Sequence, residues 1–255
     1  MFKKATLFAA VCVAMSFGCG VDQNEEIVNN LIQAGFPADD IMIVDGLVYV
    51  GRDAHVTLEA SREMIQVAPG TSAEQYRTTN LVGAGVTKIC INPTSRFNSF
   101  AAISAGLDGA ISNYNSLGLQ FTLARGPTTG CSANITAQIK GGSPGGSSGF
   151  PSGGLPYGTI NIGSGTDSYG TGVTKHVITH EIGHTIGFRH SDYYNRAISC
   201  GGSATNEGQS TVGAILISGT PSNATLGGSI MNSCFRASET GNWTSSDVTA
   251  CHALY

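Results

Sequence analysis

The stretch HEIGHTIGFRHSD, His180 to Asp192, holds three of the six histidines in a chain of 255 residues in which only 12% are charged. On a helix of about 3.6 residues per turn, His180 and His184 project from nearly the same face, one turn apart. Glu181 lies about 100° round from His180, so it reaches the edge of a site on that face without having to be part of it. Gly187 stands where the helix must stop and the chain reverse, a position that calls for positive φ. The reversal returns His190 as a third imidazole. Three neutral imidazoles leave a tetrahedral zinc with one open position for water, the arrangement of a catalytic rather than a structural site. Zinc lowers the pKa of such a water toward about 7, and Glu181 can take its proton and hand it to a leaving amine. The residue pattern therefore implies hydrolysis of an amide. His176 would extend the stripe by one turn, but the three histidines already complete the set and His176 is expected to lie outside it.

Working outward, 41% hydrophobic residues supply a core, and 35 glycines point to many tight turns. The net charge of −4 shows no basic stripe, so no nucleic-acid partner is expected. Ahead of the cluster, KICINP ends a strand that begins near Leu81. Residues Asn98 to Leu117 place Phe100, Ile103, Leu107, Ile111 and Tyr114 at helical spacing. LGLQFTLARG, ANITAQIK and LPYGTINIG read as further strands, the last with Tyr157, Thr159 and Asn161 on one side. The fold class is mixed α/β. GGSPGGSSGFPSGG (141–154) has the composition of a flexible spacer.

Further upstream, Asn24 to Phe36 reads as a helix ending at Gly35, followed by a hairpin around Asp45-Gly46 and a short helix in ASREMIQ. The polar joint APGTSAEQYRTTN places a boundary near Gly70 to Thr79. Residues 1–18 have the lysine-then-apolar order of an export signal. Cys19 follows it as a candidate lipid anchor, so the product is expected to be secreted or held at the outer membrane of a bacterium. The organisation read from sequence is a signal at 1–18, a prosegment at 19–75 and a catalytic domain at 76–255. Asp39 or Asp40 could reach the metal from the prosegment, but their place beside the predicted strand favours surface turn positions. CGVD at Cys19 reads better as a lipidation site than as a zinc-binding switch. Export permits disulfides, but spacing alone leaves the pairing of Cys90, Cys131, Cys200, Cys234 and Cys251 open.

The full pattern His-Glu-x-x-His-x-x-Gly-x-x-His, with SIMNS supplying a methionine turn at Met231, resembles the metzincin zinc endopeptidases. The wording HEIGH, the segment SCGGSATNEGQS and the ending WTSSDVTACHALY look more narrowly like the dual-action HEIGH metallo-peptidases. The resemblance implies a metzincin-like catalytic domain: a twisted, mostly parallel sheet, an active-site helix and a small C-terminal subdomain. It also implies His180, His184 and His190 as zinc ligands, Glu181 as base and Met231 as apolar support beneath the histidines. Ser233 occupies the position where some relatives carry a tyrosine ligand, and Tyr193 and Tyr194 are expected to serve packing. The same likeness suggests a Cys200–Cys234 disulfide and an extended substrate along Leu155 to Ile162, touching Tyr157, Thr159 and Asn161. A protein or peptide is the expected partner of a monomeric chain. The alternatives are a surface-anchored, zinc-stabilised binding protein without turnover, or a hydrolase of non-peptide amides.

Overall fold

The computed structural model describes residues 23–65, 75–208, 214–221 and 223–255. The export signal, Cys19 and most of the joint at 66–74 lie outside them. Helix α1 (Gln23–Gln33) buries Ile27 and Leu31, and Gly35 at φ 85° turns the chain out of it. The next strands, β1 (Met42–Val44) and β2 (Leu47–Val50), form the hairpin expected at Asp45-Gly46. Both turn residues have positive φ, 52° and 75°, which matches the twist of a two-residue hairpin. Strand β3 (Ala54–His55) pairs back on β2, and helix α2 (Leu58–Met64) starts where the Thr57 side chain accepts the Ala60 N–H. Leu31, Phe36, Val48, Val56 and Met64 close a small core that also takes in Phe150 from much further along the chain.

After β4 (Tyr76–Arg77) come β5 (Lys88–Pro93), the one-turn α3 (Ser95–Asn98) and α4 (Ala101–Asn115). The helix read from Asn98 is thus split. Thr94 caps α3 by accepting the Phe97 N–H, and α4 begins afresh at Ala101. Next are β6 (Thr122–Arg125), β7 (Ala133–Ile139), β8 (Gly146–Gly149) and β9 (Thr159–Ile162). A 3₁₀ turn (Ser164–Tyr169) then leads into α5 (Gly170–Thr185). Helix α6 (Ala197–Cys200), β10 (Ile215–Leu216), which pairs with β4, and α7 (Ser245–Leu254) complete the C-terminal part.

The main sheet has eight strands in the order β1-β2-β3-β8-β9-β7-β5-β6. Strands β6, β5, β7 and β9 run parallel, β8 runs against them, and β3 lies parallel to β8. Ile103, Leu107 and Tyr114 of α4 and Ile178 and Ile182 of α5 pack on Ile89, Ile91, Ile135 and Ile160 of the sheet. This is the expected mixed α/β fold with a mostly parallel sheet and a buried active-site helix.

Two expectations need correction. The glycine-rich stretch 141–154 is not a plain spacer, because it contains β8, a central strand of the sheet. Two of its glycines, both in β8, serve close approach: a Cβ on Gly149 would lie 2.6 Å from the His55 carbonyl and one on Gly146 would lie 2.5 Å from Glu181 Oε1. Strand β9 in turn is bonded on both sides, to β7 and β8, so no substrate can add to the segment holding Thr159 and Asn161. Asn161 bonds Gln138 and Ser147 across those neighbours, and the Tyr157 hydroxyl meets His55 Nδ1 at 2.7 Å. The strand whose edge faces the cleft is β8, and β3 already occupies it.

Cys90–Cys131 and Cys200–Cys234 are disulfide-bonded, which leaves the Cys251 thiol in the core.

Candidate metal centre

Helix α5 buries polar and apolar side chains alike: from His176 to Thr185 every residue is buried. It runs between the sheet and the C-terminal part, so its polar side chains can only point into a protein-lined site. The helix ends as its sequence requires. Gly187, at φ 110°, reverses the chain, and Phe188 N–H bonds back to the Gly183 carbonyl at 3.0 Å. A Cβ at 187 would lie 2.6 Å from the Asn80 carbonyl. The reversal brings His190 to face His180 and His184.

Each histidine has its Nδ1 engaged: His180 with the Ile230 carbonyl at 2.8 Å, His184 with the Phe188 carbonyl at 2.8 Å, and His190 with Glu207 Oε1 and Oε2 at 2.9 and 3.0 Å. Carbonyl and carboxylate oxygens only accept, so these Nδ1 atoms donate. In neutral rings each Nε2 is then left with a bare lone pair. The three Nε2 atoms point at one another across 3.1, 3.2 and 3.2 Å. Three lone pairs at that range repel unless they share a cation. Tetrahedral bonds of about 2.0–2.1 Å would set the nitrogens about 3.3 Å apart, so the spacing fits.

A fourth donor completes the set. Asp53 Oδ2 lies 3.1 Å from His190 Nε2 and 3.7 Å from His180 Nε2, and Oδ1 lies 3.7 Å from His184 Nε2. The four ligand atoms all lie within 4.8 Å of one another. Burial alone would raise the Asp53 pKa, but the three histidines hold it well below the usual carboxylate range. Asp53 stands at the β2–β3 turn, where Gly51 and Arg52 both take positive φ, 61° and 73°. Asp40, read from the sequence as a turn position, accepts the Gly51 N–H at 2.8 Å and shapes this turn.

Glu207 is buried and binds four groups: His190, Arg196 through a short hydrogen bond, Arg189 as an ion pair at 3.9 Å and the Ser233 hydroxyl, which donates at 3.2 Å. Burial opposes its ionisation, yet His190, Arg189 and Arg196 lower its pKa to about 2. The methionine turn is fixed from α7. Asp247, partner of Thr244 in a capping box, accepts Ser229 Oγ at 2.6 Å and the Ile230 N–H at 3.1 Å. That places the Ile230 carbonyl on His180 and Met231 beneath the helix, against Gly183, where a Cβ would sit 2.6 Å from the Met231 sulfur.

Glu181 lines the same cleft of about 300 Å³, with Arg52, Asp53, Gly146, His180 and Phe235. Its Oε2 is buried with no hydrogen-bond partner, and burial, with Asp53 nearby, pushes its pKa well above the carboxylate range. Gly146 faces it so closely that a Cβ there would meet Glu181 Oε1 at 2.5 Å. His176 is outside the set, 3.7 Å from Glu239 Oε2, and burial lowers its pKa to about 4. Ser233 donates to Asp192 at 2.7 Å. Tyr193 packs on Tyr76, and the Tyr194 hydroxyl accepts the Ala224 N–H.

The structure thus unites His180, His184, His190, Glu181 and Met231, and adds Asp53, Glu207 and Gly146. No spacing rule marks those three. The only local signal is the charged pair Arg52-Asp53 directly after a strand.

Two solved structures of myroilysin are similar to the chain. One, at 13% identity and a TM-score of 0.44, covers 71% of this chain and 98% of its own. The other, at 14% identity and a TM-score of 0.40, covers 74% and 88%. No curated protein matches. The family model of the dual-action HEIGH metallo-peptidases matches residues 48–255, and the chain belongs to that family.

Proposed function

We propose that this metallopeptidase is a zinc-dependent endopeptidase that cleaves protein chains with Glu181 as its general base. The observation that carries the reading is the convergence of three fixed Nε2 lone pairs beside a buried carboxyl whose Oε2 has no hydrogen-bond partner. Nitrogen-rich donors at tetrahedral spacing suit zinc among the common divalent ions. Zinc held by His180, His184 and His190 would supply Lewis-acid polarisation of the amide and lower the pKa of a water toward about 7. Glu181 Oε2 is free to accept the proton of the attacking water and to deliver it to the amine nitrogen as the C–N bond breaks. Its raised affinity for a proton suits it to both transfers. Gly146, at the start of β8, lines the cleft in which an extended peptide would lie. Export is part of the proposal, supported by two disulfides, with the mature chain secreted or held by lipid at Cys19.

A second reading, a zinc-stabilised binding protein without turnover, draws on Asp53, because four protein donors close a site. The test is casein digestion with and without a chelator, alongside Glu181→Gln. The amide cannot take the proton, so turnover should fall by at least about 10³-fold with metal content unchanged. Activity within about tenfold of the parent would remove Glu181 from the role.

A further inference from the structure

We propose that the tip of the β1–β2 hairpin is a membrane-contact surface, which seats on a bilayer of zwitterionic lipid beside the anchor site at Cys19. This rests on the reading of Cys19 as a lipid anchor and adds the surface that orients the anchored chain.

Three observations meet at this tip. The first is apolar exposure. Ile43, Val44 and Leu47 are 57%, 47% and 38% exposed, and they make up three of the seven large apolar side chains that stand open among the described residues. Single exposed residues are ordinary, but these three crowd one turn. Val44 pairs with Leu47 across the turn and shares its face, while Ile43 points to the other face at the outermost strand of the sheet. Apolar groups thus surround the tip instead of forming one flat patch, a shape that suits insertion into a soft interface. With only three residues, β1 is also a short edge for a partner strand to add to. The second observation is the place of Cys19. Asn24 Nδ2 donates to the Gly46 carbonyl at 3.1 Å, which pins the start of α1 to the turn. Cys19 precedes Gln23 by four residues. Four residues span at most about 14 Å, so acyl chains on Cys19 would enter a bilayer close to the tip. The third is charge. Asp45 faces Lys140 at 3.9 Å and Glu26 faces Arg62 at 2.6 Å, so the bases beside the tip are engaged with acids and do not select anionic lipid.

The two ends of β2 then have different tasks. Leu47 begins the strand at the tip, and past Val50 the chain runs into the turn that faces the histidines. At about 3.4 Å per residue, Leu47 and Val50 stand about 10 Å apart, so a tip seated on lipid holds the metal cleft at the far end of the strand. An acyl chain alone tethers without orienting. A second, weak contact beside the tether acts at a high effective concentration, so a few apolar side chains suffice to fix the chain's attitude on the surface.

The test tethers the chain from residue 19 onward by coupling the Cys19 thiol to a maleimide phospholipid in phosphatidylcholine vesicles, so it does not depend on acylation in the cell. Leu47→Trp places an indole at the tip, with the parent's Trp243, packed edge-on to Tyr114, as a constant background. The indole is read by quenching with phosphatidylcholine brominated high on its acyl chains. Brominated lipid should remove at least about half of the emission that the new indole adds, since side chains seated in the interface lie about 5–10 Å deep. Adding Ile43→Ser and Val44→Ser should abolish that quenching and leave the melting temperature unchanged. An unquenched indole would overturn the proposal. So would quenching that survives both serines, because the indole would then insert by itself, or quenching confined to vesicles containing phosphatidylglycerol. A tip that is unquenched while the serines turn a dimer into a monomer would give the surface to a second copy of the chain. Mass spectrometry of the exported chain tests the anchor separately: a quenched tip on a chain that carries no acyl group in the cell keeps the membrane surface and removes the lipid-anchor reading.

Discussion

Gly146→Ala should separate catalysis from folding. A methyl at this position would stand 2.5 Å from Glu181 Oε1, 2.7 Å from Cγ and 2.8 Å from Cδ, whereas ordinary contact begins at 3.4 Å. Because the clash is with the far end of a side chain and not with backbone, Glu181 will yield before β8 does. Closing the gap from 2.5 to 3.4 Å moves the carboxylate by about 0.9 Å. An off-rotamer side chain costs about 0.5–1.5 kcal/mol of stability, so the fold should survive. A misplacement of about 1 Å in a reacting group costs about 10²-fold in rate, or about 2.7 kcal/mol of barrier. The measurement is kcat/KM on a fluorogenic peptide, with melting temperature and metal content on the same sample. Gly142→Ala serves as control, since a methyl there meets nothing within 4 Å. A Gly146→Ala enzyme within about threefold of the parent would refute the placement of Glu181 against β8.

Glu207→Gln should weaken metal binding by about 10- to 100-fold, because the neutral amide no longer raises the basicity of His190. Competition with a chelating dye reads this directly, and an unchanged affinity would reduce Glu207 to packing. His176 gives a pH signature. Burial, reinforced by His180 and offset by Glu239, lowers its folded pKa to about 4 from a reference of 6.5. Between those values the unfolded chain binds more protons, so stability falls as pH drops from 6.5 to 4, by at most about 3 kcal/mol. Urea melts of the parent should lose that much relative to His176→Leu across this window, and parallel curves would contradict it.

The metal set was legible because its geometry is local. His180, Glu181 and His184 share one helix, Gly187 forces one reversal, and His190 falls just beyond it. Helix α4 and the hairpin at Asp45-Gly46 were legible for the same reason, since periodicity and turn chemistry act over a few residues. Strand β8 was hidden because glycine has two meanings in a sequence. It signals a loop where freedom is needed and a packed strand where a neighbour leaves no room. Only the position of Glu181 above Gly146 distinguishes them. Gly183 had the same ambiguity within HEIGH, and the Met231 sulfur beneath the helix resolves it. Asp53 had no signal beyond the charged pair it forms with Arg52: its place beside the histidines comes from a strand pairing with residues nearly a hundred positions later, which no spacing encodes.

The concentration of charge in so charge-poor a chain also has a physical reading. Asp53, Glu181, Arg189, His190, Arg196 and Glu207 gather in one interior region, where a lone ion would be prohibitively costly. Arg189 lies 4.5 Å above the Phe36 ring while facing Glu207, so each charge is answered by an opposite charge or a ring face. Glu181 Oε2, like Asp53 Oδ1, is buried without a hydrogen-bond partner. Such a group is retained against its cost only where its protonation or its partner must change, which is what a base that takes up and gives back a proton requires.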